Sequence, residues 1–236
     1  MSSTRNPGRR AGLLYLIMGL PAPFALLYVP GILMVHGNAA ATAHNIVANQ
    51  TLLRLAIAGQ LFAQTLFIFT VLALYDLLKG VDPWRASLMK ILVLVSIPMA
   101  FLNEVNAIAA LELVRNADLL SAFAGPQRDA LAMLFLKLHG EGLSVTQIFW
   151  GLWLFPLGLL VYRSGFIPRI LGVLLIVNAF AYPLETLTFL FQPRWGHAVS
   201  QWMLLPQFGE LWFILWLLIK GAVPKSTTSS SSPPSS

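Results

Sequence analysis

Long apolar runs separated by short polar joints form the main pattern of the chain. A helix needs roughly 20 residues to cross a bilayer, and most runs are about that long or somewhat longer. Asp129–Tyr162 is longer than one crossing needs, so either its first turns lie along the outer surface or the helix is strongly tilted. The pattern therefore predicts an all-α integral membrane bundle with six transmembrane helices. We place the predicted spans at Ala11–Val35, Leu52–Leu78, about Ser87–Leu113, Asp129–Tyr162, Ile167–Leu190 and about Leu204–Ile219.

The joint between the fourth and fifth predicted spans organises the others. Phe149–Val161 and Ile167–Phe180 are too apolar for a soluble surface, and a short basic segment, Tyr162–Arg169, connects them. Gly165 and Pro168 are expected to end one helix and begin the next, since glycine tolerates the strained turn and proline suits a first helical turn. The two arginines of this turn predict that it lies on the cytoplasmic side of the membrane.

The positions of the other basic residues agree with this orientation. If the N-terminus is cytoplasmic and there are six spans, both termini are cytoplasmic and every inner segment carries a basic residue. The inner segments contain Arg5, Arg9, Arg10, Lys79, Arg85, Lys90, Arg163, Arg169, Lys220 and Lys225, whereas the outer ones contain Arg54, Arg115, Arg128, Lys137 and Arg194.

The segments between the spans complete the predicted organisation. Gly37–Thr51, rich in small residues, predicts a short interfacial helix after the first span. Asp82 followed by Pro83 resembles a helix N-cap. The mixed charges of Glu112–Arg128 predict a loop, and Gln192–Gln201 predicts an outer loop. We therefore divide the chain into a cytoplasmic N-terminus (residues 1–10), one transmembrane domain (11–222) and a disordered Ser/Pro-rich tail (223–236).

The first predicted span has two features of its own. It follows a basic start, as a signal peptide does, but its apolar run is longer than the roughly 7–15 residues of a signal core. We therefore interpret it as an uncleaved span. Pro21, Pro23 and Pro30 remove backbone donors and are expected to bend it.

Composition supports the membrane class and narrows the partners. The chain is 57% hydrophobic and 10% charged, against roughly 25% charged residues in a soluble domain. Its net charge of +6 is explained by basic residues at the cytoplasmic ends of the spans, so the lipid bilayer is the expected partner and nucleic acid is not. The absence of cysteine excludes disulfides and thiolate chemistry. No cofactor is predicted, and the oligomeric state is left open.

Four stretches resemble a known family in their order and spacing. The chain is similar over roughly Arg9 to Gly221 to the bacterial membrane family called domain of unknown function 4386. The resemblance implies a multi-pass protein of the bacterial cell membrane and brings no activity, cofactor or catalytic residue with it. The stretches are RRAGLLYLI (Arg9–Ile17), AAATAHNI (Ala39–Ile46), YRSGFIPRILGVLL (Tyr162–Leu175) and ELWFILWLLIKG (Glu210–Gly221).

Polar residues inside the predicted spans mark the candidate site, because such residues are costly in a membrane. Four helices each place a carboxylate in the outer half of the membrane, with the deepest, Glu104, roughly 14 Å below the outer helix end. The leading hypothesis is an outward-facing acidic cavity that binds or moves a small ligand, proton or cation. The candidate residues are Gln60, Gln64, Asn103, Glu104, His139, Glu141, Gln147, Asn178, Glu185 and Glu210.

Two alternatives stay open. The first alternative to the acidic cavity is a membrane-embedded enzyme acting on a lipid or apolar substrate, with Glu104 and Glu141 as acid/base groups or metal ligands. The second is a non-catalytic scaffold in which hydrogen bonds tie Glu104 to a neighbouring helix. The spacing of His139, Gly140 and Glu141 differs from the His-Glu-x-x-His zinc motif, so no metal site is predicted. Small and polar residues on the fourth span predict close approach of a neighbouring helix: Ser144, Gln147, Gly151 and Gly158.

Overall fold

The computed structural model describes residues 6–115, 122–191 and 208–223, and within these ranges the regular elements are helices. Two of the helices contain an interruption, which is described below. The helices are α1 (Pro7–Leu33), α2 (Ala39–Ala48), α3 (Gln50–Leu78), α4 (Pro83–Arg115), α5 (Gly125–Ser164), α6 (Arg169–Phe191) and α7 (Phe208–Ile219).

The predicted all-α membrane bundle is confirmed. Helices α1, α3, α4, α5 and α6 are each long and apolar enough to cross a membrane. Helix α7 is apolar but shorter, and residues 204–207 of the sixth predicted span lie outside the described residues. The outer loop predicted at 192–201 and nearly all of the predicted tail, from residue 224, lie outside them as well. Helix α2 corresponds to the short helix predicted after the first span.

The start of α4 was predicted correctly from the local sequence, whereas its end was not. The Oδ1 atom of Asp82 accepts a hydrogen bond of 3.0 Å from the backbone N–H of Arg85, so Asp82 is the predicted N-cap. The loop predicted at Glu112–Arg128 is too long, because α4 continues to Arg115 and α5 begins at Gly125. An ion pair of 3.5 Å between Glu112 and Arg115 spans three residues and stabilises this last turn.

Prolines interrupt the regular hydrogen bonding of two long helices. In α1 the segment Pro23–Tyr28 is π-helical, at the prolines where a bend was expected. In α5 the α-helical pattern breaks at Trp153, between Leu152 and Leu154. Pro156 has no N–H to donate to the carbonyl of residue 152, which accounts for the break.

The hairpin between α5 and α6 has the predicted form. Gly165 ends α5 with φ of 69°, in the left-handed region where glycine is favoured. Next to it the two helices touch through backbone, since a Cβ atom added at Gly172 would lie 2.7 Å from the carbonyl oxygen of Gly158. One added at Gly151 would lie 2.6 Å from Cδ of Pro183. The close approach expected at Gly151 and Gly158 is therefore confirmed.

Two apolar clusters form the core, and polar side chains lie between them. The first cluster is at the hairpin end of the bundle and includes Phe67, Ile97 and Trp153. The second is at the opposite end, beneath α2, and includes Ile57 and Ala107. Along α3, α4 and α5, the residues that we call the polar layer come between these clusters in sequence: Gln60, Gln64, Asn103, Glu104, His139 and Thr146.

Helices α1 and α7 are joined at the hairpin end. The side chain of Asn6 accepts a hydrogen bond of 2.9 Å from the backbone N–H of Ala222, and the N–H of Gly8 donates to the carbonyl of Ala222 at 3.0 Å. Further along, a Cβ atom at Gly12 would lie 2.9 Å from Cβ of Leu217. Small residues on α1 thus let α7 approach at backbone distance.

Candidate functional site

Side chains from two other helices converge on the carboxylate of Glu210 in α7. The Nδ2 atom of Asn178 donates a hydrogen bond of 2.7 Å to Oε1 of Glu210, and the Tyr182 hydroxyl donates one of 3.1 Å to the same oxygen. The Tyr15 hydroxyl donates to Oε2. We call these four residues the Glu210 cluster, and it ties α1, α6 and α7 together.

Local sequence explains how the cluster forms. Asn178 and Tyr182 are four residues apart, so they share one face of α6. Tyr15 follows Gly12 by one helical turn, where α1 lies against α7. Its ring centroid is 5.8 Å from that of Trp153, which lies 5.1 Å from that of Phe67. Ring contacts at these distances fix the position of the Tyr15 hydroxyl.

The partners of Glu210 are neutral. Within the described ranges the acids that pair with a basic residue are Asp76, Asp82, Glu112 and Glu104, and Glu210 is not among them. Asn178 is fully buried, and its Oδ1 atom has no hydrogen-bond partner in the described part of the chain. The same holds for Oε1 of Gln64, a buried residue of the polar layer, and for Nε1 of Trp150. Such atoms are costly to bury without a partner.

A second carboxylate lies in the polar layer. Glu104 in α4 is 4% exposed, and its Oε1 atom is 3.1 Å from Nε2 of His139 in α5. Next to it, Asn103 donates to the backbone carbonyl of His139 at 2.9 Å. The absence of a side chain at Gly142 makes this possible, because a Cβ atom there would collide with Oδ1 of Asn103 and lie 2.6 Å from its Cγ. We call Glu104 and His139 the Glu104 pair.

The predicted site residues thus fall into several environments. Glu104, His139 and Asn103 are brought together, and so are Glu210 and Asn178, but Glu104 and Glu210 belong to separate hydrogen-bonded groups. Glu141 is exposed, while Glu185 and Gln147 are half-buried; Gln60 and Gln64 are buried in the polar layer.

Two members of the Glu210 cluster were not predicted. Tyr182 was detectable in principle, because it lies one helical turn from Asn178 on the same face. Tyr15 carried no such signal, since it meets Glu210 across 195 positions of sequence and an aromatic residue in a span is usually a packing residue.

A surface cavity lies elsewhere, at the end of the bundle covered by α2. Its volume is about 230 Å³, and the predicted site residues are not part of its lining. Within the described ranges there is also no group of three or more His, Cys, Asp or Glu side chains that is able to hold a metal ion. The cavity is lined by Ala40, Ala43, His44, Val47, Leu113, Val114, Arg128 and Asp129.

Comparison with known proteins decides the family. Residues 10–221 match the model of a family described as a domain of unknown function, DUF4386. The chain belongs to this family. The resemblance seen in the four sequence stretches is therefore confirmed over nearly the same residues, and with it a membrane protein containing several apolar helices.

Comparison with individual proteins adds little to the family assignment. A relative in Archaeoglobus fulgidus, called an uncharacterized protein, is 41% identical over 80 residues, which are 34% of this chain and 46% of the relative. The match therefore spans less than half of that protein. No solved structure matches the chain.

Proposed function

We propose that this family member is a multi-pass protein of the cell membrane, with both termini in the cytoplasm, that binds a proton or small cation inside its helical bundle. The observation that carries the proposal is the Glu210 cluster, in which a carboxylate of the bundle is held by three neutral donors. The orientation follows from the basic residues at the hairpin and the other inner joints.

No basic side chain among the described residues forms an ion pair with the Glu210 carboxylate. Glu210 is half-buried, and an ionised carboxylate that is partly removed from water is costly unless its charge is paired. Hydrogen bonds from Tyr15, Asn178 and Tyr182 stabilise the negative charge, but they do not cancel it. A bound proton or cation supplies the missing positive charge. Glu210 is therefore the group at which the protein would take up or release one.

Aromatic packing closes one side of the Glu210 cluster. The rings of Tyr15, Trp153 and Phe67 are in direct contact beside the cluster, and Trp153 is 2% exposed. The rings leave no gap on that side of Tyr15. The proposal names the smallest ligands that balance the charge of Glu210, a proton or a small inorganic ion.

Glu210→Gln tests the proposal, because glutamine keeps the shape and removes the charge. Thermal unfolding of the purified wild-type protein in detergent is expected to depend on pH or on the cation present, since a ligand that binds the folded state stabilises it by mass action. Glu210→Gln should lose the cation response and the part of the pH response that Glu210 contributes, while the loss of stability below about pH 4 that Asp82 causes remains. Glu141→Gln, at an exposed position of α5, is the matched control and should behave as the wild type does. A wild-type protein that is indifferent to both pH and cations would overturn the proposal.

The Glu104 pair favours a second candidate function, that of a membrane-embedded enzyme. Acid–base catalysis requires titratable groups within hydrogen-bond reach, and the 3.1 Å contact of Glu104 with His139 meets this requirement. Loss of a cellular phenotype in His139→Asn, with the cation and pH response at Glu210 unchanged, would favour this function. Loss of the phenotype in Glu210→Gln but not in His139→Asn would favour proton or cation binding.

A further inference from the structure

Three side chains that carry an oxygen atom surround the carboxylate of Glu210: Tyr15, Asn178 and Tyr182. A phenolic hydroxyl has one proton and two lone pairs, and both tyrosines of the cluster donate that proton to the carboxylate. Asn178 likewise donates through Nδ2, and its Oδ1 atom remains without a partner among the described residues although the side chain is fully buried. Both hydroxyl protons and an N–H of Asn178 are thus directed at the carboxylate, while Oδ1 of Asn178 has no partner among the described residues.

We infer that the Glu210 cluster is a binding site for a single dehydrated alkali cation such as Na⁺. The ligands would be drawn from the carboxylate of Glu210, the two tyrosine hydroxyl oxygens and Oδ1 of Asn178. This inference rests on the function proposed above and narrows it from a proton or cation to one class of ion.

The chemistry of the ligands selects that class. Carboxylate, hydroxyl and amide oxygens are hard donors, which suit alkali and alkaline-earth ions rather than transition metals. One carboxylate balances a single positive charge, so a divalent ion would leave an uncompensated charge in an apolar bundle. Glu185, three residues from Tyr182 on α6, is half-buried and is the nearest other acid along this helix.

The ion also accounts for the buried amide oxygen. Asn178 has no exposed surface, so water outside the protein does not reach its Oδ1 atom. A coordinated cation satisfies an amide oxygen as a hydrogen-bond donor does, and at the same time it neutralises the neighbouring carboxylate. One bound ion therefore gives Oδ1 of Asn178 a partner and balances the charge of Glu210.

Two measurements on the full chain in detergent test the inference. The first is equilibrium binding of radioactive sodium ion to purified protein, with choline chloride keeping the ionic strength constant. We expect saturable binding with one ion per chain, loss of binding in Glu210→Gln, and about tenfold weaker binding in Asn178→Ala, as for the removal of one ligand. Glu104→Gln, in the separate polar layer, is the control and should bind as the wild type does.

The second measurement is thermal unfolding in sodium, potassium, calcium or choline chloride at several pH values, which also reports on whether each variant is folded. A rise in the unfolding temperature with sodium or potassium over choline is expected, and its loss in Glu210→Gln. A pH dependence that Glu210→Gln removes, without dependence on any metal cation, would overturn this inference and leave the proposed function in place, with a proton as the ligand. Stabilisation by calcium alone would also overturn it. Indifference to both cations and pH would overturn the proposed function as well.

Discussion

Replacement of Gly142 by alanine is a direct test of the packing around the Glu104 pair. The added Cβ atom would collide with Oδ1 of Asn103 and lie 2.6 Å from Cγ and 3.2 Å from Nδ2. Asn103 is 7% exposed, so its amide has little free space into which it can move. Its displacement would break the 2.9 Å bond to the carbonyl of His139 and the 3.2 Å bond that Asn106 donates to it.

The magnitude follows from three contributions. Hydrogen bonds between membrane helices are worth about 0.6 kcal/mol each, so two lost bonds cost roughly 1 kcal/mol. Overpacking a buried contact costs about 1–3 kcal/mol. Alanine gains about 1 kcal/mol over glycine in a helix. The free energy of unfolding of Gly142→Ala should therefore fall by about 1–3 kcal/mol.

Gly140, two residues earlier in the same helix, is the matched control. A Cβ atom there meets nothing within 4 Å, so Gly140→Ala should leave stability unchanged or raise it by up to about 1 kcal/mol. Unfolding of the purified proteins by sodium dodecyl sulfate, followed by circular dichroism or tryptophan fluorescence, measures both. The double variant Asn103→Ala, Gly142→Ala should recover part of the loss, because the colliding amide is gone. Equal stabilities of the two glycine variants would refute the reasoning.

Three further outcomes are expected. Gly172→Ala places a Cβ atom 2.7 Å from the backbone of α5 and should lower the unfolding free energy by about 1–3 kcal/mol, whereas Gly19→Ala, with nothing within 4 Å, should not; equal stabilities would contradict the close packing. The hydrogen bond from the backbone N–H of Arg85 lowers the pKa of the Asp82 carboxyl, which caps α4. Its contribution is thus present above the pKa of the unfolded state and is lost as pH falls through the folded-state pKa. Thermal unfolding at pH below about 4 should therefore weaken the wild type more than Asp82→Asn, and parallel pH curves would contradict this. Reporter fusions after Arg163 should report the cytoplasm and those near Asn45 the outside; an external signal at Arg163 would reverse the proposed orientation.

Features governed by neighbours in sequence were predictable. Helix α3 begins within two residues of its predicted start and ends at the predicted Leu78, because hydropathy and length suffice for an isolated span. Gly165 and Asp82 were assigned correctly because caps depend on local backbone geometry. Helix α4 extends beyond its predicted end because the charges of its last turn pair within the helix and need no loop to expose them.

The partners of the carboxylates were harder to predict from the sequence. Depth along a helix predicts that Glu104 and Glu210 lie in the outer half, but it does not say which way each helix is rotated or which helices are neighbours. The structure directs Glu104 to His139 of α5 and Glu210 to residues of α1 and α6. The decisive partner, Tyr15, depends on the contact of α1 with α7 through Gly8 and Gly12. One sequence does not reveal such a contact between helices.

The pairing of α1 with α7 has a consequence for biogenesis. Tyr15 is synthesised 195 residues before Glu210, which at roughly 5–20 residues per second is an interval of about 10–40 seconds. Throughout that time α1 is in the membrane without α7, so the Tyr15 hydroxyl lacks Glu210 and the surface at Gly12 lacks the helix that packs against it. Insertion of α7 then supplies the carboxylate and the second half of the interface together. The nascent bundle is thus left open on one side until a late translational event, and a quality-control factor that recognises the exposed face of α1 would distinguish finished from unfinished molecules.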